Sequence, residues 1–405
     1  MTAGQFARVR ADFPGAAASP YLDVSARSLL PAGARAAFDA YLDDNVAGTL
    51  DKKAMFDGVE ETRSLFAALI RAEPDEIAFT RNVTDGIATI AACLPWQAGD
   101  NVVLCEDLEH PANVYPWRGV AKRSGIVIKN VAPKAGHIPV DAMLDAIDAN
   151  TRVVTVSAVS FAPGFRLPLA ELGAECRRRG VLLVVDGAQS IGAIDTDVKA
   201  WNIDVLATSA QKYLMGVYGV GFLYVRRELA ETLEPVLLSR FSVDLGDLHE
   251  GAGGDSSAYT LAAGARRFDV GNYNYPATIA AGASLRMLLD LGQAEVDAYV
   301  CGLARAFADR MIDLGLPVFG GRSNAPGSPV VTVGPSLTAE HDGTSDTAMA
   351  DLHAFLSARG VRLGIRRGLL RFSFHIYNNT ADIDAVAGLA RAFLGSPAAA
   401  RLAKR

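Results

Sequence analysis

Between about residues 76 and 225, short β-branched runs alternate with stretches whose apolar residues recur at helical spacing. The runs are EIAFT, NVVLCE, GIVIKNV, RVVTVSAVS, VLLVVDGA, DVLATSA and GVGFLYV. Between them lie TDGIATIAACL, VYPWRGVAKRSG, VDAMLDAIDAN and LAELGAECRRRG. A strand with one wet face alternates apolar and polar residues, whereas these runs are almost continuously apolar, as strands covered on both faces are. The pattern predicts an α/β fold with a mostly parallel sheet between helices.

After about residue 275 the period changes. PATIAAGASLRMLLDLGQAEVDAYVCGLARAFADRMIDLG reads as long and helical. It is followed by strand-like PVVTV, helical TAMADLHAFLSARG, strand-like LLRFSFHIYN and a closing helix near TADIDAVAGLARAFLG. This predicts a smaller α+β C-terminal domain over 276–405, a large domain over 21–275, and an N-terminal segment, 1–20, packing with the small domain. The Gly/Ser-rich stretch HEGAGGDSSAYTLAAGARR, 249–267, reads as a flexible excursion before the join.

Composition narrows the function classes. Half of the 405 residues are hydrophobic, enough for a large core, and the net charge is only −6. No basic run precedes the terminal LAKR, which argues against nucleic acid and against an anionic membrane surface as partners. The opening MTAGQFARVRADFPG lacks an apolar core of the secretory type, and no stretch reaches the roughly 20 apolar residues of a membrane helix. Cys93, Cys105, Cys176 and Cys301 lie far apart without zinc spacing, as reduced core thiols do. A cytoplasmic protein without a structural metal is expected.

Within this frame TSAQKYLMG is anomalous, because it sets Lys212 in an apolar neighbourhood where an unpartnered ammonium is costly. In open α/β sheets, ligands sit beyond the carboxyl ends of the strands. VVDGAQ places Asp186 and Gln189 at such an end, TSAQK places Ser209, Gln211 and Lys212 at another, and TRNVTDGIAT puts Thr84 and Gly86 at a helix start. A free helix N-terminus with a small turn residue binds phosphate. A lysine, an aspartate and a phosphate cradle together fit pyridoxal phosphate, which needs a Schiff-base lysine, an acid for its ring nitrogen and donors for its phosphate. Desolvation makes Lys212 a usable nucleophile.

From YLDVSARSLLP (21–31) to RFSFHIYNNTADID (371–384), the ordered motifs resemble the class V aminotransferase group of fold-type I pyridoxal-phosphate enzymes. That group includes cysteine desulfurases, selenocysteine lyases and isopenicillin-N-epimerase-like proteins. The resemblance implies roles residue by residue. LEHPANVYPW would place His110 on the cofactor ring with Asn113 near the substrate, and VDGAQ would set Asp186 on the pyridine nitrogen and Gln189 on the phenolic oxygen. SAQK would give Ser209 and Gln211 to the phosphate, and RNVTDGI would add Thr84 and the amides of Val83 and Asp85. RRFDVGNYNYPA would send Asn272 to a neighbouring subunit's phosphate, which implies a homodimer with shared sites. Arg371 would clamp the substrate α-carboxylate, with Arg166 and Arg27 as further substrate candidates.

Two departures shape the expected reaction. GVRLGIRRGLLRFS is short and carries no cysteine where desulfurases have a nucleophilic one, and SAVSFAPGFRLPL has Phe161 in place of an asparagine. The expectation is a C–S or C–Se lyase acting on an amino acid without that cysteine. An aminotransferase, an epimerase and a non-catalytic cofactor-binding module remain the alternatives. His375 and the aromatics Tyr273, Tyr275, Phe268 and Trp117 read as packing residues.

Overall fold

The computed structural model describes residues 3–244, 259–322 and 327–396. All seven apolar runs are strands: β1 (Ile77–Thr80), β2 (Asn101–Leu104), β3 (Val127–Asn130), β4 (Thr151–Ser157), β5 (Leu182–Asp186), β6 (Val205–Ser209) and β7 (Gly221–Val225). They form one sheet in the order β1-β7-β6-β5-β4-β2-β3. The block from β3 to β6 is parallel, and β7 runs antiparallel to β6 and β1.

Alternate residues of each strand feed two separate cores, which is why the runs are apolar throughout. Val154, Val156, Leu183, Val185, Leu206, Phe222 and Tyr224 enter one cluster. Val153, Val184, Val205, Ala207, Leu223 and Val225 enter the other, with the helix Val83–Cys93.

The C-terminal part builds a three-stranded antiparallel sheet from Val330–Val333, Leu369–Ser373 and Gly364–Arg366. Three expectations are corrected here. The long helical stretch is two helices, Tyr275–Leu291 and Gln293–Asp313, broken at Gly292 with φ 81°. The strand in LLRFSFHIYN stops at Ser373, because Asn378 turns the chain by accepting from the His375 amide at 2.8 Å. In VDAMLDAIDAN only Val140–Asp145 is helical. Of the Gly/Ser-rich stretch, residues 249–258 lie outside the described residues, and Gly264–Phe268 forms a 3₁₀ turn.

That turn leads into Asp269, which locks the edge of the large sheet. The carboxylate of Asp269 accepts from the buried Arg63 guanidinium at 2.9 Å and from the Phe79 amide at 2.7 Å. The N-terminal segment contacts the C-terminal part: Phe6 stacks on Tyr299 at 3.8 Å between ring centroids, and Arg10 pairs with Asp382 at 2.7 Å. Among the described residues, no helix is long and apolar enough to cross a membrane.

Helix–sheet packing is tight enough to reverse an ordinary substitution effect. In a helix, Gly→Ala normally stabilises by about 1 kcal/mol. Gly173 lies in the helix Leu169–Arg179, where a Cβ would stand 1.9 Å from the Trp201 carbonyl oxygen. Gly173→Ala should therefore lower stability by about 1–3 kcal/mol, read as a lower urea midpoint. A midpoint equal to or above the native one contradicts this packing.

Candidate functional site

The carboxyl edge of the parallel block collects the polar residues. β5 ends at Asp186, paired in register with Ser157 of β4, and β6 ends at Ser209, three residues before Lys212. The Lys212 loop is pinned on both sides. The Met215 amide donates to the Lys212 carbonyl at 3.0 Å, and Ser284 Oγ donates to the Met215 carbonyl at 3.0 Å. His375 Nδ1 accepts from the Ile376 amide, so its donor is Nε2, which reaches the Tyr213 carbonyl at 2.9 Å. Burial brings the His375 pKa down to about 4. This histidine is neutral and holds the residue next to Lys212.

Burial also lowers the Lys212 pKa to about 8, against the attraction of Asp186 and with the help of Arg371 and Arg366. Asp186 is buried, and burial raises its pKa while Lys212 and the Ala188 amide oppose the rise. That amide donates to Asp186 Oδ1 at 2.9 Å. Among the described residues the two charges form no ion pair, so Asp186 can still take a cationic partner.

His110 stands at a turn after β2, where its Nδ1 accepts from the Ala112 amide at 3.1 Å. Nε2 therefore carries the proton. Burial, then the charges of Lys212, His341 and the nearby arginines, lower its pKa to about 4, so the ring is neutral. Phe161 meets it edge-on at 5.5 Å.

Behind His110 lies a network that sequence reasoning passed over. Fully enclosed Glu109 accepts from Ser157 N at 2.7 Å, Ser157 Oγ at 2.6 Å and Asn113 Nδ2 at 2.8 Å. Its pKa rises to about 7, chiefly through burial. Asn113 belongs to this network: its Oδ1 accepts from Thr155 Oγ1 at 2.7 Å and one N–H of its amide goes to Glu109, so it braces the site from within the core.

The helix Val83–Cys93 aims its N-terminus at the same edge. Gly221 permits the approach: a Cβ there would lie 2.6 Å from the Thr208 carbonyl oxygen and 3.1 Å from the Asn82 amide nitrogen. The Asp85 amide is already capped by Asn82 Oδ1 at 3.0 Å, and the Asp85 carboxylate pairs with Arg81 at 2.7 Å. An anion at this end would meet the Val83 and Thr84 amides and the exposed Thr84 hydroxyl, with Ser209 on the facing strand.

Arg371 is 2% exposed. One guanidinium nitrogen donates to the Phe161 carbonyl at 3.2 Å and another to Asp23 at 3.4 Å. Gln189 Nε2 donates to the Ser25 carbonyl at 3.1 Å. Among the described residues, the buried side-chain atoms without a partner are Gln189 Oε1, Thr208 Oγ1, Gln211 Oε1 and Arg371 Nε. Folded proteins pair such atoms. Thr208 lies on the face of β6 with Leu206, but Gln189, Gln211 and Arg371 belong to the segments around Lys212 and mark a place where a ligand completes the bonding. With a desolvated lysine and an unpaired carboxylate between them, these residues fit pyridoxal phosphate.

Three predicted residues remain. Arg166 forms a two-pronged ion pair with Asp297, at 3.2 and 3.1 Å, and donates to the Gly327 carbonyl. It ties the helix Gln293–Asp313 to the loop after β4. Arg27 is exposed on the Tyr21 side, and Asn272 is exposed beyond the 3₁₀ turn. Asp23 and Arg366 were missed in the sequence. Each sits inside a stretch that drew notice for another reason, DVSAR for its arginine and GVRLGIRRGLLRFS for its lack of cysteine.

The family described as Aminotransferase class-V matches residues 20–386. A "Probable cysteine desulfurase" of Pyrococcus abyssi is 29% identical over 401 residues, 94% of this chain and 96% of that one. The apo structure of a cysteine desulfurase from Thermococcus onnurineus superposes with a TM-score of 0.82 at 26% identity, covering 95% of this chain and 97% of that one. A complex of the cystine C–S lyase C-DES with its reaction product, cysteine persulfide, gives 0.81 at 25% identity, covering 93% and 99%. The chain thus belongs to the class-V aminotransferase family and is a pyridoxal-phosphate-dependent enzyme.

Proposed function

We propose that this enzyme breaks the bond between Cβ and sulfur or selenium in an amino acid, without loading the sulfur onto a cysteine of its own. The carrying observation is the two-residue turn Arg367–Gly368, which stands in the short, cysteine-free stretch where desulfurases have a nucleophilic loop cysteine. The thiols elsewhere offer no substitute. Burial pushes Cys105 and Cys176 up to about 12 and raises Cys93 and Cys301 as well, which leaves no reactive thiolate among them. The similarity to proteins named cysteine desulfurase and cystine C–S lyase supports the lyase class.

In this reading Lys212 binds the cofactor covalently, Asp186 faces its ring nitrogen, His110 covers its ring and Gln189 meets its phenolic oxygen. Ser209, Gln211, Thr84 and the helix amides from Val83 hold its phosphate. When bound, the cofactor supplies the sink for negative charge developing at Cα. Arg371 takes the substrate α-carboxylate and so orients the Cα–H bond. Once the substrate amine has displaced it from the cofactor, neutral Lys212 Nζ would accept the Cα proton. The electron pair left at Cα forms the Cα–Cβ double bond, and the Cβ–S pair departs with sulfur.

A homodimer is part of this proposal. Val236, Leu237, Tyr259 and Val270 are exposed apolar residues on segments bound to one another through Ser239 and Asp269, close to Asn272. The partition into 1–20, 21–275 and 276–405 belongs to it too, supported by the separate sheets and by the contacts of Phe6 and Arg10. So does a reducing, cytoplasmic setting, supported by the four free cysteines.

With L-cystine or L-cysteine in deuterated buffer, the expected products are pyruvate and ammonium, with a persulfide from cystine or sulfide from cysteine. A keto acid that keeps the substrate side chain would instead show transamination, and a D-amino acid epimerisation. Exchange of the Cα hydrogen should rise with pH through about 8, because Lys212 Nζ accepts a proton only when neutral. A rate flat from pH 7 to 9 contradicts this role. Asn272→Ala should weaken cofactor retention on dialysis if a neighbour's phosphate is its target, and unchanged retention counts against the shared site.

A further inference from the structure

Two arginines, not one, face the site from the small sheet. The register pairs Gly364 with Arg371 and Arg366 with Leu369. Residues directly opposite on antiparallel strands share a face, and side chains alternate with a period of two. Arg366 and Arg371 therefore project from the same face as diagonal neighbours, about 7–8 Å apart along the strands. Gly364 keeps that face open: a Cβ there would stand 3.1 Å from Asp23 Oδ1 and 3.7 Å from an Arg371 nitrogen. The turn that sets this register, Arg367–Gly368, has φ of 51° and 83°, as the tightest hairpins require.

The three neighbouring arginines are not equivalent. Arg367 spends its guanidinium on the backbone carbonyls of Thr338, at 3.2 Å, and Asp107. Arg371 is enclosed and already shared with Asp23. Arg366 is 23% exposed; one nitrogen donates to the Ile365 carbonyl at 2.7 Å and pairs at 2.8 Å with Asp342, a carboxylate 63% exposed and easily given up to water. The positive charge of Arg366 reaches Lys212, His110, Asp23 and Arg371, so it lies among the groups that surround the substrate. Once an α-carboxylate engages Arg371, Arg366 is the second arginine on that face of the small sheet, and its counter-charge is a surface group a ligand can displace.

We propose that Arg366 selects amino acids whose side chain carries a second carboxylate, and binds that group while Arg371 holds the α-carboxylate. The assignment rests on Arg371 acting as proposed above.

The test uses the holoenzyme and two isosteric pairs, L-aspartate with L-asparagine and L-glutamate with L-glutamine. The reading is the concentration giving half the change in visible absorption. At least one acid should act at concentrations roughly 10- to 100-fold lower than its amide, the range of a charged hydrogen-bonded contact. Arg366→Gln should bring that ratio close to one, and Arg366→Lys should retain part of it. Arg371→Gln should weaken acid and amide together. Equal response to acid and amide in the native enzyme, or a ratio that survives Arg366→Gln, overturns the role of Arg366 alone. A holoenzyme whose absorption no amino acid changes contradicts the function proposed above, and this assignment with it.

Discussion

The structure depends on keeping the Lys212 ammonium largely out of water without giving it a close carboxylate. An isolated buried charge is expensive, and here the expense appears as a pKa brought down to about 8. Asp186 lies near enough for its charge to be felt but not near enough to bond, and two arginines press the ammonium toward neutrality. A plain ion pair would have quenched both groups. Held apart, the lysine stays nucleophilic and the aspartate stays available for another cation.

Much of the surrounding architecture serves that separation. Parallel strands β4, β5 and β6 deliver Ser157, Asp186 and Ser209 to one edge, and the helix Val83–Cys93 brings free amides to it. His375 anchors the lysine loop from the small sheet, and Asp23 with Gly364 makes room for Arg371. Glu109 braces the strand beside Asp186 through both the amide and the hydroxyl of Ser157. Arg371 is thus steadied by Asp23, and the Lys212 loop by His375.

The seven strands were legible because burial on both faces writes itself as unbroken apolar runs, and Lys212 and Asp186 because charge is conspicuous at the ends of such runs. The break at Gly292 was hidden, since the helical period continues on both sides of it. The structural partners of Asn113 and Arg166 were not legible either. Their partners, Thr155 and Asp297, are 42 and 131 positions away, and nothing local announces them. Arg366 escaped for a related reason. Only the cross-strand register shows that it shares a face with Arg371, and register depends on the turn at Arg367–Gly368.

The most direct measurement is borohydride reduction of the holoprotein followed by peptide mass mapping. Everything proposed for this site requires the pyridoxyl label to appear on the peptide containing Lys212, on that lysine alone. A label on another lysine, or no label on a protein that holds the cofactor, would contradict the account at its centre.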